Sequence, residues 1–283
     1  MAQFTNQAQL RYGNSVTNSN IAVGEILEVL SVTKTAVRST YNQNDAITYL
    51  ISIVNSGTTP VTALTLSDDL GAYTFGAGTL TPLTYLADTA KYYVNGILQT
   101  APAVTAGPPL TISGLNVPAG GNLLIVYDAA MNQFAPLSAD STIENTVTVN
   151  GTAITAITAQ ETITAAATPL LTITKSISPV PVTENGTLTY TFLIQNDGNT
   201  AAAAADSLVV TDTFNPILSN LSVTFNNTAL TLNDDYTYNE TTGEFATVAG
   251  RITVPAASYM QDPNTGEWLI TPGTSTLKIT GTV

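Results

Sequence analysis

The chain has 283 residues, only 10% of them charged, and a net charge of −13. It contains no cysteine and no histidine, which excludes disulfide frameworks, thiolate and imidazole metal sites, cysteine nucleophiles and Ser-His-Asp triads. Seven basic residues in the whole chain cannot build a surface that neutralises nucleic-acid phosphates, so nucleic acid is not an expected partner.

The N-terminus has neither the basic start nor the apolar centre of a secretory signal, and no apolar run is long enough to span a membrane. Phe4, Asn6, Ala8, Leu10 and Tyr12 fall on one face of a strand, and Thr5, Gln7, Gln9 and Arg11 on the other. The pattern recurs at Ile143–Val149, where Asn145 takes the place of Asn6 and Ile143, Val147 and Val149 are the apolar set. Residues 1–26 are therefore expected to form an extended donor-strand arm, joined to the rest by a short link around Gly24 to Glu28.

After the arm, short alternating runs rich in Thr, Val, Ile and Tyr, separated by turn residues, predict an all-β protein. They come in two copies. Lys34 in Val32-Thr33-Lys34 is matched by Lys175 in Ile173-Thr174-Lys175. Fifteen residues on stand Tyr49 and Tyr190, and twenty-one on stand Asn55 and Asn196, each two before a glycine. Asp68 in Leu64–Leu70 is matched by Asp212 in Leu208–Phe214, and late in each copy Val117–Ile125 is set against Ile270–Ile279. The first copy runs on through Ile143–Val149 and Ile154–Ile163, whereas the second reaches Val283 without such a strand. The expected division is an arm at 1–26, a first β-sandwich at 27–168 and an incomplete second one at 169–283.

The Lys-bearing first strand, the Tyr49–Gly57 run, the Val210-Thr211-Asp212 segment, Pro118-Ala119-Gly120 and Ile143–Val149 together resemble the conserved repeat of Gram-positive surface proteins. That family is the eleventh of the domains of unknown function, with an immunoglobulin-like sandwich. The resemblance covers nearly the whole chain and implies a structural role at a cell or spore surface. The order here is permuted, with the tail of one repeat placed first.

Three polar residues of each copy occupy positions where alternation calls for an apolar side chain. Lys34 stands between Val32 and Ala36, Asp68 between Leu66 and Leu70, and Asn145 between Ile143 and Val147. Lys175, Asp212 and Asn6 are the second set, provided that the arm serves the second copy. Isolated buried charges are costly, so these groups must meet. A desolvated lysine loses its proton more readily and becomes a nucleophile, and an adjacent aspartate can polarise a carboxamide. The expected result is an isopeptide bond, Lys34 to Asn145 beside Asp68 within a chain, and Lys175 to Asn6 beside Asp212 between chains. Such crosslinks are known in immunoglobulin-like surface domains of this kind. The blander alternative is a satisfied polar network without a bond.

The other polar features have simpler readings. Tyr49 and Tyr190 are core residues with a tethered hydroxyl, one of which could orient the reacting groups, and Asn55 and Asn196 serve turns. The acidic loops at Asn233–Asp235 and Asp262–Gly266 lack full calcium-ligand spacing, no metal or cofactor is expected, and Trp268 is a packing residue. The whole predicts a head-to-tail homopolymer: an extracellular filament or spore appendage made by donor-strand complementation, capped by an unidentified anchor or tip protein. The chemistry is single-turnover self-crosslinking, not enzymatic. Without an export signal, assembly from the mother cell is the expected route. The alternative is a monomeric surface adhesin or surface-layer module with intramolecular bonds or only buried polar networks.

Overall fold

A computed structural model describes residues 2–26, 28–152 and 154–283. Residue 27, where the first domain is expected to begin, lies outside the described residues. Among the described residues the regular structure is β-strand apart from one 3-10 turn at Ala204–Asp206, and the two repeats form tandem immunoglobulin-like sandwiches. The chain has two compact units, one of 1–39, 44–132 and 143–163 and a second of 40–43, 133–142 and 164–283. Two short segments of the first repeat, 40–43 and 133–142, therefore group with the second unit.

In the first unit one sheet runs Ile97–Leu98, Lys91–Val94, Asn122–Met131, Ala46–Asn55 and Leu30–Ala36. The other runs Ala103–Thr105, Leu110–Val117, Val61–Asp68, Thr142–Asn150 and Ile157–Ala165. Period-2 alternation decides which side chains lie inside. Ile47, Tyr49, Ile51 and Ile53 come from one sheet and Leu64, Leu66, Val147 and Val149 from the other, all fully buried. Each such aliphatic side chain contributes about 1.5–3 kcal/mol by leaving water.

The second unit repeats this plan with fewer strands. Its first sheet runs Leu171–Ser178, Thr187–Asn196, Gly273–Thr282, Ser219–Phe225 and Thr228–Ala229. The opposing sheet has three strands, Thr211–Thr213, Glu244–Thr247 and Tyr236–Tyr238. Phe192, Phe214, Phe245, Leu277 and Ile279 fill the core. In the first unit the Asp68 strand is flanked by Leu110–Val117 and by Thr142–Asn150; in the second, Thr211–Thr213 has Glu244–Thr247 on one side and, among the described residues, no strand on the other. Leu171–Ser178 is exposed along its whole length, with Ile173 at 53%.

Strand register confirms the repeat and corrects one match. Lys34 pairs with Ile51 as Lys175 pairs with Phe192. The carboxamide of Asn55 donates to the carbonyls of Thr59 and Pro118, and that of Asn196 to Thr200 and Pro255. Both accept the N–H of the glycine two residues on, at 2.9 Å. The counterpart of Val117-Pro118-Ala119 is thus Val254-Pro255-Ala256, not the Ile270 segment. A hairpin of Ser258–Gln261 and Trp268–Thr271 is inserted behind it, which hides the match in the sequence.

Two predictions follow from this corner. Asn196→Ala strips partners from the N–H groups of Leu170 and Gly198 and should lower the second unit's stability by about 1–3 kcal/mol. At Gly273 an added Cβ would fall 1.9 Å from the Pro255 oxygen, so Gly273→Ala should cost at least about 1–3 kcal/mol. Denaturant midpoints followed by Trp268 fluorescence check both.

The arm is more than one strand. Ala2–Asn6 pairs with Ala22–Ile26, and Gln9–Tyr12 with Ser15–Asn18, closing at Gly13 with φ +57. The Phe4 ring lies over Gly24, where a Cβ would meet it at 2.3 Å. The segment expected to link the arm to the first domain is thereby drawn into a hairpin. Phe4, Asn6, Ala8, Leu10 and Tyr12 are all exposed in the single chain.

Candidate crosslinking site

Lys34 reaches the first unit's core from the Leu30–Ala36 strand, Tyr49 and Tyr127 from the next two strands of the same sheet, and Asp68 and Asn145 from the opposing sheet. Lys34 Nζ lies 2.6 Å from Asp68 Oδ2, and both side chains are fully buried. The same oxygen accepts the Tyr127 hydroxyl at 2.6 Å, while Asp68 Oδ1 accepts the N–H of Leu70 at 3.0 Å. Tyr127 OH in turn accepts from Asn145 Nδ2 at 3.3 Å. The four groups form one hydrogen-bonded chain from amine to carboxamide.

The direction of that chain fixes the amide. Tyr127 has one proton and gives it to Asp68, so its oxygen is an acceptor and must face the Asn145 amino group. The Asn145 oxygen is thereby turned aside and, among the described residues, is buried without a hydrogen-bond partner. An orphan acceptor of this kind is costly in a merely structural network. Burial pulls the Lys34 amine below its ordinary value against the attraction of Asp68, and pushes the Tyr127 phenol well above its own. The Lys34 amine also sits 4.8 Å from the Tyr49 ring centroid, and that ring stacks on Tyr127 at 5.5 Å.

The second unit brings together Lys175 and Asp212 in an ion pair. Lys175 lies 4.3 Å from the Tyr190 centroid, matching Lys34 over Tyr49. In the single chain, whose second unit has no arm in place, the Lys175 side chain is 39% exposed and that of Asp212 is 17% exposed. The cause is the bare edge beside Asp212. Asn6 lies in the arm opposite Ala22.

Tyr127 escaped the sequence analysis because a tyrosine among Leu123, Ile125 and Ala129 fits an apolar face without remark. The usable signal lay in comparing the copies: Tyr127 stands opposite Tyr49, and Ile279 opposite Tyr190. The hydroxyl belongs to one copy only. Elsewhere, the Asp262 carboxylate accepts the N–H groups of Asn264 and Thr265 within its own turn, which lowers its pKa. No cluster of three acidic residues suited to a metal occurs among the described residues, and no helix there is long and apolar enough to cross a membrane.

No protein-family model matches the chain, and no curated protein does. Solved structures with a similar fold include the major pilin subunit of Bacillus cereus, with a TM-score of 0.39, 8% identity and coverage of 96% of this chain and 73% of that one. A fragment of the major pilin of Streptococcus agalactiae follows at 0.36 and 11%, covering 86% and 91%. The pilus backbone protein of Streptococcus pneumoniae gives 0.35 and 13%, covering 86% and 55%. At these values the likeness is one of fold.

Proposed function

We propose that the protein is the subunit of a head-to-tail filament at a cell or spore surface, in which the arm of one copy completes the second unit of the next. The observation that carries this reading is the bare edge beside Asp212, together with an exposed hairpin at the other end of the chain that has the sequence pattern of the missing piece. An open edge invites pairing with another chain, and an added strand supplies main-chain hydrogen bonds along it. The contact is heterologous and does not close on itself, so fibres result.

The donor in this reading is the whole hairpin. In the first unit, Thr142–Asn150 and Ile157–Ala165 lie side by side in the sheet, and the second of them leads into the Lys175 strand. The arm has the same plan, two paired limbs of which the second leads into the Lys34 strand. Register follows from the filled unit, where Val147 lies opposite Asp68 and Val149 opposite Leu66. Setting Asn6 in place of Asn145 puts Ala8 opposite Asp212 and Leu10 opposite Val210. Asn6 is then carried to Lys175 as Asn145 is carried to the Lys34 cluster.

Each unit is then locked by a Lys-Asn bond. Lys34 gives a proton to Asp68, the free amine attacks the Asn145 carboxamide carbon, and the carbon–nitrogen bond to Nδ2 breaks with loss of ammonia. Of the three protons on the lysine ammonium, one stays on the new amide, one completes the departing ammonia, and the third leaves with it as ammonium. No cofactor takes part and each site reacts once. The partners are further copies of the chain and an anchor or tip protein at the ends.

Cysteine pairs test the register, since the chain has no cysteine of its own. In an Asn6→Ala background, Leu10→Cys with Val210→Cys should give an oligomer ladder on oxidation that collapses with reductant. Moving the second cysteine to Val209 should abolish it. Equal ladders from both pairs, or none from either, would reject the donor arrangement.

A further inference from the structure

We propose that Tyr127 is the proton relay of the first unit's crosslink, passing a proton from Asp68 to the departing nitrogen of Asn145. This rests on the crosslinking reading above and adds to it the group that handles the leaving amine. The geometry is directional. Asp68 Oδ2 is the common acceptor of Lys34 and Tyr127, each at 2.6 Å, and Tyr127 OH is the described acceptor of Asn145 Nδ2 at 3.3 Å. A carboxamide does not expel its nitrogen as an amide anion; the nitrogen must gain a proton as the bond breaks. Tyr127 stands between the group that holds the lysine's proton and the atom that needs one.

The step balances without an outside reagent. Lys34 Nζ transfers a proton to Asp68 Oδ2 and attacks the Asn145 carbon. Tyr127 then gives its hydroxyl proton to Nδ2 while taking the proton on Asp68, so the phenol ends as it began. Nδ2 departs as ammonia, and the extra proton on the new nitrogen returns to Asp68 and leaves with the ammonia. The high phenol pKa keeps the hydroxyl protonated between transfers.

The second unit has no equivalent hydroxyl, because Ile279 occupies the position opposite Tyr190. The relay therefore belongs to the sealed site, and removing it should spare the joint between chains.

The test uses the full chain carrying Asn6→Ala, so that only the first site can close, recovered unfolded and refolded by dilution. Intact mass follows loss of one ammonia while circular dichroism follows refolding. Adding Tyr127→Phe should slow ammonia loss about 10²-fold with refolding unchanged, and Tyr127→Phe alone should still form oligomers. Closure at the parent rate would overturn the relay. If the Tyr127→Phe chain does not refold, the parent's rate in mixtures of light and heavy water decides: a curved dependence on deuterium fraction is expected from two protons in flight, and a straight one overturns the relay. A refolded parent that never loses ammonia would instead remove the crosslink itself, a distinguishable result.

Discussion

Boiled in detergent, the assembled wild-type protein is expected to run as a ladder of oligomers, and Asn6→Ala and Lys175→Ala to collapse to a single monomer band. The effect is all or none because a donor hairpin held by backbone hydrogen bonds alone dissociates on boiling, whereas an amide between side chains does not. Two further features separate this from nonspecific aggregation. The monomer left by either variant should still lack one ammonia, lost at the Lys34 site. Lys34→Ala should leave the ladder in place, since its site lies within one chain. A wild-type monomer short of two ammonias would mean that the arm closes on its own second unit. A single band of full formula mass would remove the bond at both sites.

The largest stability effect should come from the Lys34 cluster. Asn145→Ala keeps the ion pair but cannot close, and a crosslink spanning on the order of 100 residues constrains the unfolded chain by about 4.7 kcal/mol if it behaves as a disulfide does. Lys34→Ala loses the crosslink and also leaves Asp68 buried, a further loss of about 3–5 kcal/mol. Guanidinium melts of the first unit should rank wild type above Asn145→Ala and that above Lys34→Ala. If the two variants match, the ion pair adds nothing beyond the bond.

The pH dependence of Asn145→Ala has a fixed sign. The folded state holds Lys34 at a pKa below the ordinary 10.5, so between that lowered value and 10.5 the unfolded chain binds more protons and stability rises with pH. The Tyr127 phenol is held above its ordinary 10.0, so above about 10 the folded state keeps a proton that the unfolded chain loses, and stability falls. Melts should therefore pass through a maximum near pH 10, where the two trends cross. Closure of the unmutated first site should quicken as the pH rises through the lowered Lys34 pKa, at the foot of that limb, and level off above it, where the folded amine is already free. A flat profile to pH 10 would mean that Lys34 titrates as it does in water.

Much of this architecture is written in the chain as local pattern. Period-2 alternation places each residue on a face before any fold is known, so a lysine, an aspartate and an asparagine at inward positions stand out against apolar neighbours, and repetition ties the two sets together. The same logic exposed Phe4–Tyr12 as a strand in search of a sheet. What alternation cannot report is which inward groups touch across the two sheets. Tyr127 is apolar enough to belong to any core, and only the packing of the opposing sheets sets its hydroxyl between Asp68 and Asn145. The second limb of the arm, with Ser, Thr and Asn among Val16, Ile21 and Val23, carries too weak an alternation to declare a strand; pairing with the first limb makes it one. The hairpin inserted after Pro255 breaks the repeat in sequence, and the Asn196 hydrogen bonds to Thr200 and Pro255 restore the match. Burial of Lys34 beside exposure of Lys175 was likewise beyond the sequence, which gives both the same surroundings. The difference is one neighbouring strand, and strand neighbours are a property of the tertiary fold.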